Sequence, residues 1–392
     1  MKGRTFIFLA LFPLCICCKG GGGDEPGPEP VVEETVLSLA DPDATPETKA
    51  LYSNLWAIRE KGWMFGHQND LLSGRTWREK DGGSDTRDVC GDYPAVYGVD
   101  VAAFMDERKD TADNPRKRKT IVEAYDRGMV VMACMHLNNP LTGGTSWISR
   151  DSDPRKTETV AQILTAGSEA RVTFDRWLDN LAKLAESLVG SDGVQIPLIC
   201  RPFHEHGHEW SWWGNTSCTA DQYTALWRYF VDGLKERGVH TFIYAISPAM
   251  NNAKADDDFL FRWPGDGYVD FIGMDCYQGI NNNVFTQNLK CLRRVSEAKK
   301  KPAGVTETGV QGFTAEDYWI TNIAAPMAGR NMSMLVTWTN EYDPMGQYDV
   351  YFSVYKGHPS EESFRAMYDR EDTFFCGDLP DMYKMADNIT VN

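Results

Sequence analysis

The sequence predicts a single (β/α)8 barrel of the α/β class, the TIM-barrel architecture, preceded by an export signal and a short linker. Three observations support this. Short, nearly continuous apolar runs alternate with helical patterns, eight such alternations occur without a long polar break, and polar side chains stand where the runs end. A chain of 392 residues that is 42% hydrophobic and 24% charged can bury one large barrel core.

The first 18 residues have the pattern of a bacterial lipoprotein signal peptide. A positively charged start, Met1 to Arg4, precedes an apolar run from Thr5 to Ile16 that is too short to cross a membrane as a stable helix. Cysteine closes this run, which predicts lipidation of Cys18, with Cys17 as the alternative. Ordinary secretion with cleavage nearby is the other interpretation.

Residues 19–34 are rich in glycine, proline and glutamate, and this composition predicts a flexible linker. The chain is therefore divided into a signal peptide at 1–18, this linker, and one folded domain at 35–392. With a lipid on Cys18, we expect the domain to be exported and held at the outer membrane, on its periplasmic or its outer face. The anchor is the expected membrane contact of this protein.

Charge and composition limit the partners of the domain. Lys and Arg number 40 against 56 Asp and Glu, and the net charge of −16 argues against nucleic acid, which requires a basic surface. The 12 Trp, 16 Tyr and 18 Phe are a heavy aromatic load, and exposed indoles are common platforms for sugar rings. We expect the protein to be a monomer.

The cysteines predict neither a metal site nor a disulfide framework. No two of those beyond the signal have C-x-x-C spacing, so a thiolate metal site is not expected. Cys134 and Cys200 lie in apolar runs and are interpreted as buried small hydrophobes. The number of cysteines after the signal peptide is odd, which argues against all of them being paired in disulfides. A single disulfide remains an alternative.

The apolar runs and helical patterns define the elements of the barrel. The clearest helix spans 168–188, where apolar residues recur at i, i+4, i+7 and i+11 from Trp177 onward and Ser168 is the expected cap. The other predicted helices are 46–60, 221–236, 284–299, 316–329 and 361–368. The predicted strands are 63–67, 95–100, 129–136, 195–201, 241–247, 269–275, 303–307 and 332–338.

Polar and aromatic side chains stand at the ends of these strands, where a barrel of this type places its chemistry. They are His67, His136, Glu205, Asp275, Tyr277, Glu307 and Trp338. Each alone could cap an element or order a loop, and for His67 that explanation is as good as a functional one. Their convergence on one rim indicates a site.

Two of these side chains, Glu205 and Glu307, define the reaction class. They end the fourth and seventh strands, and we expect them to face each other across the barrel mouth. Glycosidases need two such carboxyl groups, one as acid/base and one as nucleophile. Aromatic neighbours of Glu205, namely Phe203, Trp210 and Trp212, favour its protonated form as the acid, and Tyr277 is the candidate hydrogen-bond partner of an ionised Glu307.

The motifs around these residues resemble glycoside hydrolase family 26, the β-mannanases of the large (β/α)8 clan. The specific block is Arg201-Pro202-Phe203-His204-Glu205 followed by Trp210-Ser211-Trp212-Trp213-Gly214. Weaker matches are Thr306-Glu307-Thr308-Gly309, Phe65-Gly66-His67-Gln68, Tyr97-Gly98-Val99-Asp100 and residues 163–170. The similarity extends over most of residues 60–345.

The resemblance implies a role for each matching position. Glu205 would be the general acid/base and Glu307 the nucleophile, with retention at the anomeric carbon. Tyr277 would hydrogen-bond Glu307, and Trp338 would floor the subsite that holds the distorted sugar. The implied substrate-binding residues are His136, Trp147, His204, Trp210, Asp275, Tyr277 and Trp338.

One departure from the family pattern concerns the eighth strand. Members often carry arginine after the tryptophan, whereas this chain has Trp338-Thr339-Asn340. A long donor to a neighbouring sugar is therefore missing, which affects the adjacent subsite and the preference for chain length. The block after Glu205 also carries His206 and His208, where a more neutral turn is common.

The family implies an endo-acting β-1,4-mannanase that hydrolyses mannan or galactomannan without a cofactor or a metal. An exo-acting mannobiohydrolase and a β-glucanase or β-xylanase of the same clan remain alternatives, because loops determine sugar identity. A non-catalytic glycan-binding lipoprotein is another. The density of His204, Glu205, His206 and His208 also fits a zinc-dependent hydrolase.

Overall fold

The structure is a computed structural model that describes residues 34–279 and 282–392. The predicted signal peptide, the lipidation site Cys18 and residues 19–33 of the linker lie outside these residues. Within the described part, no helix combines the length and the apolar character needed to span a membrane. The seven cysteines present there, from Cys90 to Cys376, are all free thiols.

Eight parallel strands form a closed barrel, which confirms the predicted fold. Each of the strands β2 to β8 pairs with the next one along the chain, and the pairing of β2 with β9 closes the cylinder. Every residue of β2, β4, β5 and β7 is buried, as the continuous apolar runs predicted. The strands are β1 Thr35–Leu37, β2 Trp63–Gln68, β3 Val96–Asp100, β4 Val130–Cys134, β5 Leu198–Arg201, β6 Phe242–Ile246, β7 Phe271–Cys276, β8 Ala303–Thr308, β9 Met334–Thr337, β10 Thr373–Phe374 and β11 Ile389–Val391.

Helices cover the outside of the barrel, and side-chain caps begin several of them. Ser168 accepts a hydrogen bond from the Arg171 amide at 3.1 Å, so the predicted cap of the longest helix is present. The helices are α1 Pro46–Ile58, α2 Asp85–Cys90, α3 Ala102–Met105, α4 Asn114–Asp126, α5 Thr159–Leu164, α6 Glu169–Ser187, α7 Ala220–Glu236, α8 Asp256–Phe259, α9 Asn282–Lys299, α10 Ala325–Met327 and α11 Glu361–Tyr368.

The segment predicted as one helix over 316–329 differs from the prediction. It contains a π-helical stretch, Trp319–Ala324, that leads into the short α10. Pro326 has no N–H, so the carbonyl of Asn322 cannot accept the usual α-helical hydrogen bond, and the wider turn precedes this point. The widened turn holds Trp319 fully buried, with its indole N–H 2.9 Å from Ser360 Oγ.

A small sheet closes the lower end of the barrel, where the strands begin. Strand β1 pairs in parallel with β11, and Leu37 and Val391 belong to the same buried cluster as Met64, Val96 and other residues at the strand starts. The opposite end, where the strands finish, is therefore the open mouth of the barrel. The predicted site residues stand there.

Candidate active site

Glu205 and Glu307 meet at the mouth of the barrel. Glu307 is the next-to-last residue of β8, and Glu205 lies four residues beyond the end of β5. One carboxylate oxygen from each of Glu205, Asp275 and Glu307 lies within 4.8 Å of the other two. The fourth and seventh barrel strands therefore bring two acidic side chains, distant in sequence, to one point.

A tight turn after β5 aims Glu205 at this point. Phe203 and Glu205 both have positive φ, 48° and 53°, which is uncommon for residues with a side chain. The Glu205 amide donates to the Ser247 carbonyl at 2.8 Å, so the strained turn is held by the neighbouring strand's end. Backbone strain of this kind concentrates at functional sites.

Hydrogen-bond donors surround the Glu307 carboxylate. The Tyr277 hydroxyl donates to Oε2 at 3.0 Å, and the Arg201 guanidinium contacts Oε1. Nε2 of His204 lies 4.0 Å from the same Oε1. The Glu307 side chain is only 7% exposed, and these contacts complement a negative charge on it. The predicted bond from Tyr277 is present in this geometry.

Asp275 lies beneath Glu307 and is fully buried. Its carboxylate contacts Arg201 Nη1 at 2.8 Å, and it accepts from Thr306 Oγ1 at 2.7 Å. Burial raises the pKa of Asp275 well above its usual range, against the opposing effect of the Arg201 charge. Asp275 was predicted to bind substrate; its position instead supports Arg201, which in turn holds Glu307.

Trp210 is the aromatic partner of Glu205. Its indole N–H donates to Glu205 Oε2 at 2.7 Å, and Nδ1 of His208 lies 3.7 Å from the same oxygen. This contact with Glu205 raises the pKa of His208. Phe203 and Trp212, which were also expected beside Glu205, are fully buried and pack against each other in the hydrophobic core.

His136 stands between the two walls of the site and is held by Asp100. Its Nδ1 is 2.6 Å from Asp100 Oδ2, and its backbone amide donates to the same oxygen at 3.1 Å. Burial disfavours charge on His136, but the hydrogen bond to Asp100 and the negative charge of Asp100 outweigh this effect. The pKa of His136 is therefore raised well above the usual value. Ring centroids of His204, Trp338 and Trp210 lie 4.7, 5.7 and 5.9 Å from that of His136.

Trp147 extends the aromatic wall away from Glu205. Its ring centroid is 4.9 Å from that of Trp210, and its side chain is exposed. The Ile148 amide donates to the Trp210 carbonyl at 2.8 Å, which ties the two loops together. Trp147, Trp210, His136 and Trp338 thus form a continuous row of neighbouring rings across the mouth.

The histidines after β5 do not share a metal site. His206 is buried, with Nε2 3.1 Å from the Phe261 carbonyl and Nδ1 3.1 Å from the Tyr223 hydroxyl. Burial lowers the pKa of His206 to about 3. In the part of the chain that the structure describes, the two groups of potential ligands that come together are Glu205, Asp275 and Glu307, and Asp100, Cys134 and His136.

Two residues of the site were not named as functional from the sequence. Arg201 bridges Glu307 and Asp275, and Asp100 orients His136. Both stand at the last position of a barrel strand, β5 and β3, so their position was the available signal. Their partners are distant in sequence, and only the closed barrel brings them into contact.

The fold and site together define a class of protein, a (β/α)8 barrel with the carboxylate pair that glycosidic-bond hydrolysis requires. The model of glycosyl hydrolase family 26 matches residues 40–350 of this chain. The chain belongs to that family, as its motifs predicted.

Solved structures and characterised sequences of the family resemble this chain over most of its length. A β-mannanase from Bacteroides ovatus has 32% identity and a TM-score of 0.81, covering 88% of this chain and 98% of that one. An endo-β-1,4-mannanase from Cellulomonas fimi has 28% identity and a TM-score of 0.79, covering 90% of this chain and 81% of that one.

A mannan endo-1,4-beta-mannosidase from Bifidobacterium adolescentis is 29% identical over 360 residues, which cover 85% of this chain. The match spans only 35% of the Bifidobacterium protein, about a third of its length. A second relative of that name from Bacillus subtilis is 25% identical over 301 residues, or 71% of this chain and 75% of the other.

Proposed function

We propose that this protein is a retaining endo-β-1,4-mannanase in which Glu205 is the acid/base and Glu307 the nucleophile. The approach of their carboxylate oxygens to within 4.8 Å carries this proposal. A short separation of the two carboxyl groups, about 5–5.5 Å, is typical of retaining glycosidases, and this close approach of the oxygens supports retention. The mannanase relatives support mannan as the substrate.

In the first step Glu307 attacks the anomeric carbon while Glu205 gives its proton to the departing glycosidic oxygen. The Trp210 indole donates to Oε2 of Glu205, so the transferable proton belongs on Oε1. In the second step the oxygen of a water molecule attacks the anomeric carbon while Glu205 takes its proton, and the bond from the sugar to Glu307 breaks, which frees the carboxylate. Arg201 and Tyr277 hold the Glu307 carboxylate in line for attack.

The side chains around the pair would bind the sugar at the cleavage point. The His136 ring lies between those of Trp338 and His204, with centroids 5.7 and 4.7 Å away, and these three rings are the groups available to a sugar. His204 is kept neutral because burial, and then the nearby Arg201 charge, lower its pKa well below the usual value. A neutral imidazole can both donate to and accept from sugar hydroxyls.

Incubation of residues 35–392 with mannan, galactomannan, mixed-linkage glucan and xylan tests this function. We expect early products of many lengths from mannan, which is the pattern of internal cleavage, and a β-anomer first in proton NMR. Release of a single disaccharide from the start would indicate an exo-acting mannobiohydrolase. Cleavage of glucan or xylan alone would reassign the substrate, and binding without new reducing ends would make the protein a glycan-binding lipoprotein.

We also propose that a lipid on Cys18 holds the enzyme at the bacterial outer membrane. The apolar run that ends in this cysteine supports the proposal. Full-length protein should partition into the detergent phase of a Triton X-114 separation, and Cys18→Ala should move it to the aqueous phase. Cys17→Ala is the matched control and should leave partitioning unchanged; the reverse result would assign the lipid to Cys17.

A further inference from the structure

The segment after β9 forms a loop whose two ends lie beside the catalytic residues. Residues 341–350, here called the rim loop, close on themselves through a 2.9 Å hydrogen bond from the Glu341 amide to the Val350 carbonyl. Just before the loop, Trp338 packs against His136; just after it, the Phe352 ring centroid lies 6.0 Å from that of Tyr277. Tyr277 in turn bonds Glu307, so the rim loop rises from the edge of the site.

The rim loop exposes a concentration of apolar side chains. Tyr342 is 39% exposed, Met345 73% and Tyr348 66%. These are three of the nine large hydrophobic side chains exposed in the described residues, and they fall within seven consecutive positions. Exposed apolar side chains concentrated beside a cleft indicate ligand binding rather than ordinary surface.

The loop is built as a rigid support. Arg75 and Asp343 form a buried ion pair at 3.1 Å, and Arg75 also contacts the Tyr348 carbonyl. The Tyr348 amide donates to Asp343 Oδ2 at 2.7 Å, and the Asp343 amide to the Arg75 carbonyl at 2.8 Å. Because these bonds fix the backbone around both tyrosines in advance, little conformational entropy is lost when a ligand stacks on them.

The contacts of the loop also place it on one side of the mouth. Arg75 follows β2, as does Arg78, whose guanidinium lies 4.9 Å from the Tyr342 ring centroid. Strands β2 and β9 are neighbours, so the rim loop stands above them, on the Trp338 side. Glu205 follows β5 on the opposite side of the cylinder. The acid protonates the departing sugar, so the reducing-end part of the polysaccharide lies on the Glu205 side. The non-reducing part then lies on the Trp338 side.

We propose that Tyr342 and Tyr348 of the rim loop form a sugar-binding platform for neutral polysaccharide beyond the cleavage point, on its non-reducing side. The proposal rests on the proposed function. Sugar rings stack their C–H faces on exposed aromatic rings, and neutral hydroxyls tolerate the acidic neighbours Glu341 and Asp349. Because Trp338 and Phe352, which flank the rim loop in the chain, both contact residues of the site, the polymer held in the cleft is the occupant of this surface.

The double variant Tyr342→Ala/Tyr348→Ala tests the platform by comparing long and short substrates. We expect kcat/KM on galactomannan to fall about 10-fold, mainly through KM, because two stacking contacts are lost. The loss on mannotriose should be much smaller, since this short chain spans few subsites. Val172→Ala, an exposed apolar change on α6, is the matched control and should alter neither value.

Equal losses on both substrates, or no loss on galactomannan in a variant with unchanged Tm and circular dichroism, would overturn the platform. Failure of the proposed function is a separate result, in which the wild-type protein releases nothing from mannan. In that case, the same variants are compared by electrophoresis in gels containing mannan, glucan or xylan. Retardation of the wild type and Val172→Ala but not of the double variant supports the platform, and equal mobility of all three contradicts it.

Discussion

Arg201 is the residue on which the charge balance of the site depends. Its guanidinium is fully buried and pairs with both Glu307 and Asp275. A buried charge is tolerated only when it is paired and hydrogen-bonded, so these three residues form one unit. Arg201 is therefore both a structural residue of the barrel interior and a group that holds the Glu307 carboxylate in place.

Glu307→Ala removes the proposed nucleophile. We expect turnover of mannan to fall roughly 10⁴-fold or more, because the glycosyl-enzyme intermediate can no longer form. Azide should restore part of the activity on activated aryl mannosides, and NMR should show an α-glycosyl azide, the inverted product. Glu297→Ala, which removes an exposed carboxylate on α9, is the control. Near-wild-type turnover by Glu307→Ala would contradict the assignment.

Glu205→Gln removes the proposed acid but retains the shape of the side chain. Activity on mannan, whose leaving group needs a proton, should fall by about 10²–10⁴-fold. Aryl mannosides with good leaving groups should form the glycosyl-enzyme at nearly the original rate, seen as a burst of phenol in stopped flow. Equal losses in this step for both kinds of substrate would argue against Glu205 as the acid.

The sequence placed Glu205 and Glu307 at the barrel mouth but did not give all of their contacts. Glu205 and Glu307 could be placed together because the C-terminal ends of all eight strands of a (β/α)8 barrel meet at one mouth. The same reasoning could not place Phe203 and Trp212 in the core rather than beside Glu205, since the strained turn after β5 decides which way each side chain points. The role of Asp100 likewise depends on contact between two strands.

At the scale of elements, the periodicity of hydrophobic residues and the capping residues were sufficient to predict most helices and strands of the barrel. The helix over 168–188 and the eight strands were predictable because their patterns are long or continuously apolar. Strands β1 and β11 were not predicted, since three-residue strands carry no period and gain their partners only in the folded chain. The π-helical turn at Trp319 reflects Pro326 within an otherwise helical pattern.

Arg75→Ala should show how strongly the loop after β2 supports the rim loop. It leaves the Asp343 carboxylate without its cation, and we expect the free energy of unfolding to fall clearly more than in the exposed control pair. Urea denaturation measures this change. The control Arg293→Ala breaks an exposed pair on α9 and should change stability by less than about 0.5 kcal/mol. A similar small effect for Arg75→Ala would show that the buried pair does not support the loop.

At the scale of the whole molecule, buried titratable groups connect stability to pH. His206 has a pKa of about 3 because of burial, against an ordinary value of 6.5. As pH falls from 6.5 toward 3, the unfolded chain gains a proton that the folded protein does not bind, so stability decreases. Burial raises the pKa of Asp270 to about 6, which acts in the opposite direction between pH 6 and 4.

His206→Gln should therefore make Tm fall less steeply than in the wild type between pH 6.5 and 4, even though the variant is less stable at neutral pH. Asp270→Asn should make the fall steeper over the same interval, because the compensating proton uptake is removed. Differential scanning calorimetry at half-unit intervals measures both slopes. Parallel curves for all three proteins would show that neither group titrates as its burial implies.

The pairing of β1 with β11 determines how the molecule presents itself to a polymer. Both ends of the described chain emerge at the closed base, beneath the strand starts. Attachment through either terminus, to a lipid, a resin or a fusion partner, therefore points the catalytic opening toward the bulk. An enzyme immobilised in this way should digest insoluble fibres that approach from outside, without any hinge to reorient it.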